Sequence, residues 1–428
     1  MAEEPVEIDA EEHEQIVERV AAIDVAKASG ELCTRVPHAS IPGKRVTKVW
    51  SVAATTNAIT ALAEQLARER IERVVVESTS DYWRPFVYLL QARGLTVWLV
   101  NARDVKQVPG RPKTDKLDSV WLAKLNERGM LRPSFVPPAE IRRLRDYTRL
   151  RLDLTEERSR HAQRLEKLLE DALIKLSSVA SDILGVSGRA MMTALIAGER
   201  DPQVLAEMAK ARMRPKIPQL VQALTGNFGE HHAFLCRLHL QRIDQLTAAI
   251  GELSARIEEQ MRPFAHQLER LSTIPGVGQA VAEVIIAETG ADMSRFPTAA
   301  HLASWAGVCP GQHESAGKRR SGKTRHGDRW LTGTLGTAAM AAARTKDTTY
   351  LGARYQRLAR RLGKKKALVA VQHSILIAIW HMLANDVDYA DLGGHYFARL
   401  DPDLAMRRIV RQANALGFTV RFDPIQAA

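Results

Sequence analysis

The chain has 428 residues, more than one hydrophobic core usually supports, so two or three domains are expected. Hydrophobic residues make up 45% of it, ample for packed cores. Lys plus Arg number 61 against 49 Asp plus Glu, a formal charge of +12 that favours a polyanionic partner, nucleic acid first and anionic lipid second.

Residues 1–16 read as an acidic, disordered lead that opens no signal peptide. A strand over 20–23 delivers Asp24 at its end, and alternating runs at 32–36 and 44–51 give two further strands. A helical period over 56–70 leads into the β-branched run 73–76, a buried strand that ends at Glu77. A helix at 81–93, a strand at 96–100, a Pro- and Gly-bearing loop and a helix at 115–128 complete a βββαβαβα order.

That order places three strands in hairpins and the later ones in parallel crossovers, so Asp24 and Glu77 are expected at the ends of adjacent strands. Asp115 and Asp118 are three apart on the opening turn of a helix and face the same way. Four carboxylates gathered together repel one another unless divalent cations are present, and an oxygen-only donor set suits Mg²⁺, with Mn²⁺ as a substitute. Taken singly, Asp115 is also a plain N-cap, and Asp24 and Glu77 are also plain strand-end residues. Asp104 is either a competitor of Asp115 for a metal or, from its place just after the fifth strand, a turn residue, and the second reading is favoured.

Residues 139–173 form one long helix rich in Arg and Glu, and 232–261 a second with Ile243, Leu246, Ile250, Leu253 and Ile257 in heptad spacing. The pair makes a coiled arm, either a hairpin within one subunit or a seam between subunits. Between them, Pro202, Pro215, Pro218, Gly226 and Gly229 break 174–230 into short helices. The adjacent His231 and His232 lack metal-ligand spacing and are expected on a helix surface. Cys33, Cys236 and Cys309 are odd in number and far apart, which argues against structural disulfides and a cysteine zinc site.

IPGVG at 274–278 resembles the turn of helix-hairpin-helix modules, in which Gly276 and Gly278 present backbone N–H groups to a DNA phosphate. The segment 307–330 is so rich in Gly, Lys and Arg that a loop is expected. Ser315 precedes Gly317, and Lys318, Arg319, Arg320, Lys323, Arg325 and Arg329 follow. One reading is a hydroxyl nucleophile among phosphate-binding cations; the other is a solvated basic loop. A basic helix at 349–362 carries Arg354 and Arg357, either a solvated face or a nucleic-acid contact. The apolar run 367–383 is broken by Gln372, His373 and His381 and reads as a core helix, so a soluble cytoplasmic protein without a membrane span is expected. A short helix at 404–416 lies in a tail to which no chemistry is assigned.

IDVAK around Asp24, VVVESTSDYW around Glu77, GRPKTDKLDSVWLA around Asp115 and Asp118, IPGVG, and CPGQHESAGKRRSGKTRHGDRWL around Ser315 together resemble the IS110 family of insertion-sequence transposases. The resemblance spans most of the chain, departing at the turn after Glu77, which reads Ser78-Thr79-Ser80 where the family often has glycine. It implies an RNase H/RuvC-like mixed α/β domain with the tetrad Asp24, Glu77, Asp115 and Asp118 holding Mg²⁺. It also implies a helical coiled-coil region and a mainly helical C-terminal domain with Ser315 as nucleophile. The implied division is a lead at 1–16, a RuvC-like domain at 17–138, a coiled-coil region with an insertion at 139–265, a serine transposase domain at 266–390 and a tail at 391–428. The implied activity is excision and insertion of DNA guided by a structured RNA from the element, which pairs with donor and target DNA. Homotetramers are implied, with the tetrad of one subunit meeting the serine of another. Two alternatives remain open: a site-specific DNA invertase of the same superfamily, and a RuvC-like nuclease that uses water and has no need of Ser315.

Overall fold

The computed structural model describes residues 17–77, 80–101, 115–311, 314–315, 317–319 and 322–423. Ser78, Thr79, Asp104 and Arg320, named above, lie outside them, as do the side chains of Asp115, Ser315 and Arg319. The chain divides into two compact units, 1–136 and 137–428.

The first unit is built on a five-stranded sheet: β1 (Val20–Val25), β2 (Ser29–Pro37), β3 (Arg45–Ala53), β4 (Arg73–Glu77) and β5 (Val97–Val100). The spatial order is β3-β2-β1-β4-β5. β1, β2 and β3 are joined antiparallel by short turns, whereas β4 and β5 run parallel to β1. The parallel pairings need crossovers. Helix α1 (Thr56–Arg68) returns the chain from β3 to β4, and α2 (Trp83–Ala92) from β4 to β5. Both put their apolar stripes on one face of the sheet, where Ile59, Leu62, Leu66, Phe86, Val87 and Leu90 pack with Ile23, Leu32, Val74 and Val76. Alternation sends Ala22, Cys33 and Val75 to the other face, covered by Leu122, Ala123 and Leu125 of α3 (Asp115–Glu127). This mixed sheet, covered on both faces, fits the RuvC-like expectation.

Among its described residues the second unit is helical apart from one small hairpin. Helix α4 (Ala139–Asp171) lies against the later helix α9 (Glu230–Met261). Ile141 and Leu144 of α4 share a core with Ile257 and Met261, whereas Leu165 and Leu169 share another with Cys236, Leu240 and Ile243, so the two run antiparallel. Of the heptad residues, Ile243, Leu246 and Ile257 are buried and Ile250 and Leu253 half-buried, so the seam is filled within the chain.

Residues between α4 and α9 form four short α-helices, α5 (Leu176–Val179), α6 (Val186–Ile196), α7 (Pro202–Glu207) and α8 (Ile217–Leu224), with a 3-10 turn at Ala211–Lys216 before α8. They cap the far end of the pair over Leu165, Leu169 and Leu240. Beyond α9 come α10 (Ala265–Leu271), α11 (Gln279–Thr289) and α12 (Ala299–Trp305), then strands β6 (Glu314–Ser315) and β7 (Lys318–Arg319). Helices α13 (Arg329–Ala343), α14 (Tyr350–Leu362), α15 (Lys364–Asn385), α16 (Tyr396–Leu400) and α17 (Pro402–Ala415) follow. Among the described residues α15 alone is long and apolar enough to cross a membrane by length and composition. Its Val371, Ile375, Leu376 and Ile379 are fully buried in the core of this unit.

The histidine expectation needs correcting. His231 is exposed, but His232 is only 5% exposed. Asp171, His231 and His232 bring their ligand atoms within 4.8 Å of one another. Even so, His232 Nδ1 accepts the Gly229 N–H at 3.0 Å, which leaves Nε2 to donate to Asp171 Oδ2, also at 3.0 Å. A neutral imidazole in that tautomer has no lone pair left for a metal. His232 caps the start of α9 instead. Cys33, Cys236 and Cys309 are free thiols, and burial pushes the first two up to about 11.

Candidate active site

In the first unit, Asp24 and Glu77 are direct Cα partners on the parallel strands β1 and β4, and both stand at the strand ends. Each lies two residues beyond an inward residue of the α3 face, Ala22 and Val75, so both carboxylates project toward α3. Glu77 is 9% exposed and Asp24 half-buried.

Helix α3 is fixed to this face by one residue that sequence reasoning missed. Asn126 is fully buried, and its Nδ2 donates to the carbonyls of Ala21 (3.0 Å) and Arg73 (3.2 Å), at the starts of β1 and β4. Its Oδ1 accepts from Arg73 Nε at 2.6 Å, and its own carbonyl accepts from the other end of the same guanidinium at 2.6 Å. The Arg73 guanidinium is sandwiched on its far side by the Trp98 ring, 4.0 Å from the centroid. Going back from Asn126 to Asp118 climbs about 12 Å of helix, against about 10 Å from Ala21 to Asp24 along the strand. The anchor thereby sets the half-buried Asp118 level with Asp24 and Glu77, with Asp115 one turn earlier at the start of the helix. Three side chains from three elements share one end of the sheet, and every donor is a carboxylate oxygen. That chemistry fits a hard divalent cation.

In the second unit the segment expected to be a loop is a β-hairpin. Glu314 pairs with Arg319 and Ser315 with Lys318, a bridge joins Pro310 to Thr324, and the Gly311 N–H donates to the Lys323 carbonyl at 3.1 Å. Ser315 is therefore next to the tip, and Gly317 in the turn has φ +70°, a left-handed conformation that glycine adopts without strain. No hydrophobic period announces such a hairpin. At the base the two arms cross: a Cβ on Gly327 would lie 2.3 Å from the Ala306 carbonyl carbon, and one on Gly307 2.6 Å from Gly327 N. Asp328 then caps α13, its Oδ1 accepting from the amides of Trp330 and Leu331 at 2.9 Å each.

The predicted nucleic-acid residues fall in different settings. Lys318, Lys323, Arg325 and Arg329 are exposed along or just after the hairpin, with the Arg329 guanidinium 4.4 Å from the Trp330 ring centroid. Gly276 has φ +89°, and a Cβ there would sit 2.3 Å from the Ala338 carbonyl oxygen, so packing against α13 already demands glycine. Gly278 is exposed at the N-cap of α11, with open space around it. On α14, Arg354 is half-buried and donates to Tyr350 Oη at 3.2 Å, whereas the exposed Arg357 lies 4.7 Å above Phe397 of α16.

The family model for the DEDD transposase of IS110, described as "Transposase", matches residues 21–174. A second model, "Transposase IS116/IS110/IS902 family", matches residues 268–356. A putative transposase, y4pF/y4sB, of Sinorhizobium fredii is 26% identical over 49% of this chain and 52% of its own length. The insertion element IS900 42 kDa protein of Mycobacterium paratuberculosis is 32% identical over 34% of this chain and 36% of its own length. The insertion element IS110 43.6 kDa protein of Streptomyces coelicolor is 27% identical over 41% and 45%. The chain thus spans about half the length, or less, of these curated relatives. Solved structures of Thermus thermophilus RuvC, one of them in complex with a Holliday junction substrate, are similar over 27% of this chain and 99% of theirs, at 17% and 16% identity and TM-scores of 0.21 and 0.22. The two family models together match more than half of the chain, one over the carboxylate strands and one over the serine hairpin: the chain belongs to the IS110 family of transposases.

Proposed function

We propose that this chain cleaves and rejoins DNA strands to excise and insert its own mobile element, with Ser315 as nucleophile and Asp24, Glu77, Asp115 and Asp118 as the metal-holding tetrad. The observation that carries the reading is the register of β1 and β4. It makes Asp24 and Glu77 neighbours at the end of parallel strands, on the face anchored to α3 by Asn126. An oxygen-only donor set at one end of the sheet suits a hard divalent cation. Mg²⁺ or Mn²⁺ held there supplies Lewis-acid polarisation of a phosphate.

The chemistry proposed for Ser315 is transesterification. Its Oγ attacks the phosphorus of a phosphodiester and loses its proton. The bond from phosphorus to one deoxyribose oxygen breaks, that oxygen leaves as a hydroxyl, and the other DNA end stays on the protein as a phosphoserine ester. Attack by a hydroxyl of the exchanged strand reverses these steps and frees the serine. Lys318, Lys323 and Arg325 hold the backbone near the serine as phosphate-binding cations. Arg319 and Arg320 are assigned the same role. The basic residues of α4 other than Arg145, Arg149 and Arg151, which are paired inside the unit, and those of α14 follow nucleic acid by charge. A structured guide RNA that pairs with donor and target DNA, and a tetramer in which the serine of one subunit serves the tetrad of another, complete the proposal. The relatives named for insertion elements favour a transposase over an invertase.

The test is cleavage of donor DNA by Asp24→Ala and Asp118→Ala. Both variants are expected to lose strand cleavage and keep RNA binding. Cleavage at the wild-type rate by either would remove the metal-site assignment.

A further inference from the structure

A nucleophile at the tip of a hairpin is only as well placed as the hairpin's base, and in this unit the base is tied to the long helix α4. We infer that Arg149 is a positioning residue for strand transfer, clamping the base of the Ser315 hairpin to α4 and α11 through Asp328 and Glu288. The inference rests on the reading of Ser315 as nucleophile given above.

The geometry is specific. Arg149 donates to Glu288 through a fork, Nε to Oε1 at 2.8 Å and Nη2 to Oε2 at 2.7 Å, and the same Nη2 lies 3.4 Å from Asp328 Oδ2. Glu288, in the last turn of α11, is fully buried, and Arg145, one turn earlier on α4, reaches the same carboxylate at 3.2 Å. Asp328 spends Oδ1 on the first amides of α13 and offers Oδ2 to Arg149, so a single carboxylate couples the hairpin's outgoing arm, the helix that follows it and α4.

Charge says what this contact is for. Burial raises the Glu288 carboxyl above its ordinary range, the Asp328 carboxylate raises it further, and Arg149 and Arg145 pull it down. Burial by itself would lower Arg149, but its hydrogen bond to Glu288 and the charges of Glu288 and Asp328 outweigh that and raise it. Arg149 is therefore the cation between two carboxylates. Without it, Arg145 is left to hold Glu288 by itself, the repulsion between Glu288 and Asp328 is only partly offset, the cheaper response is for the exposed arm to swing out, and Asp328 then leaves the α13 cap. Ser315 sits a full hairpin arm away, so a small rotation at the base becomes a displacement at the tip large enough to spoil attack geometry.

Two readouts separate this inference from the functional reading. With wild type, Arg149→Ala, Arg149→Lys and the double variant Arg149→Ala/Glu288→Gln, the first readout is the rate of Ser315-dependent protein–DNA adduct at saturating DNA. Arg149→Ala is expected to slow it about tenfold or more while DNA affinity stays within about twofold. The lysine variant falls between, and the double variant recovers part of the rate because the repulsion is removed. The second readout needs no activity. Trypsin, which cuts at Lys318, Arg319, Lys323 and Arg325, is expected to open the hairpin of folded Arg149→Ala about tenfold faster than that of wild type, with cuts elsewhere unchanged. Cutting that accelerates equally across the chain, or a hairpin and adduct rate within twofold of wild type, would overturn the clamp. Absence of any adduct from wild type would count against the serine reading, and the trypsin result would still decide the clamp.

Discussion

Asn126 offers the most direct way to perturb the carboxylate site without touching a carboxylate. Its side chain makes two neutral hydrogen bonds to the carbonyls of Ala21 and Arg73 and accepts one from the buried Arg73 guanidinium. A net neutral hydrogen bond is worth about 1 kcal/mol and one to a charged group about 1.5–3 kcal/mol, so Asn126→Ala removes roughly 4 kcal/mol. The Arg73 contacts to the Asn126 carbonyl and to Trp98 survive the change and keep the loss from growing. Native-state hydrogen exchange reads it in the right place, because the amides of Val74, Val75 and Val76 lie in β4 between two neighbours and exchange only when the unit opens. At about 1.4 kcal/mol per decade, their protection should fall about a thousandfold, with the core helices of the second unit unaffected. A loss below about tenfold would mean that α3 is held by Leu122 and Ala123 alone and that Asn126 does not set the height of Asp118.

Other outcomes follow from single positions. Gly276→Ala meets both a left-handed φ and the Ala338 carbonyl, and should cost about 3 kcal/mol or more by thermal melting, whereas Gly278→Ala should stay within about 1 kcal/mol. Equal effects would show that the turn does not pack as described. Replacing Arg319 and Arg320 by Ala should reduce the slope of log affinity for DNA against log salt by up to about 1.8; an unchanged slope places them away from phosphate. His161 and His239 meet across α4 and α9 with their Nδ1 atoms 3.0 Å apart. Burial, followed by nearby positive charge, depresses both pKa values. The unfolded chain therefore binds more protons than the native one below about pH 6.5, so the stability linked to this pair is present above that pH and is lost as pH falls through the histidine range. Amides of α4 and α9 near the pair should exchange faster at pH 5.5 than at pH 7.5 after correction for intrinsic rates, and His239→Gln should flatten that dependence. An identical pH profile in the variant would contradict the linkage.

Much of the first unit was legible because its signals are local. The run Val74-Val75-Val76 announces a buried strand, and strand-end Asp24 and Glu77 follow from where the β-branched runs stop. Antiparallel packing of α4 on α9 was one of two readings that the heptads allowed, and Ile243 and Ile257 pack in cores within the chain. What stayed hidden depends on partners far away in sequence. Asn126 looks like an ordinary polar residue near a helix end, and only its pairing with Ala21 and Arg73 makes it an anchor. Arg149 is one of many arginines on α4, distinguished by the burial of Glu288 rather than by anything beside it. The hairpin around Ser315 carries neither alternation nor a tight-turn dipeptide such as Asn-Gly, so its composition spoke only for a loop. His232 was misplaced because adjacent histidines say nothing of which one turns inward.

The central claim is that Ser315 becomes covalently joined to DNA. Purified protein, its candidate RNA, and donor and target DNA are mixed with Mg²⁺, and the products are separated under denaturing conditions for wild type and Ser315→Ala. The serine reading predicts a denaturant-resistant protein–DNA adduct in the wild type that is absent from the alanine variant. Cleaved DNA without an adduct, at equal rates in both proteins, would contradict it and leave a nuclease that uses water.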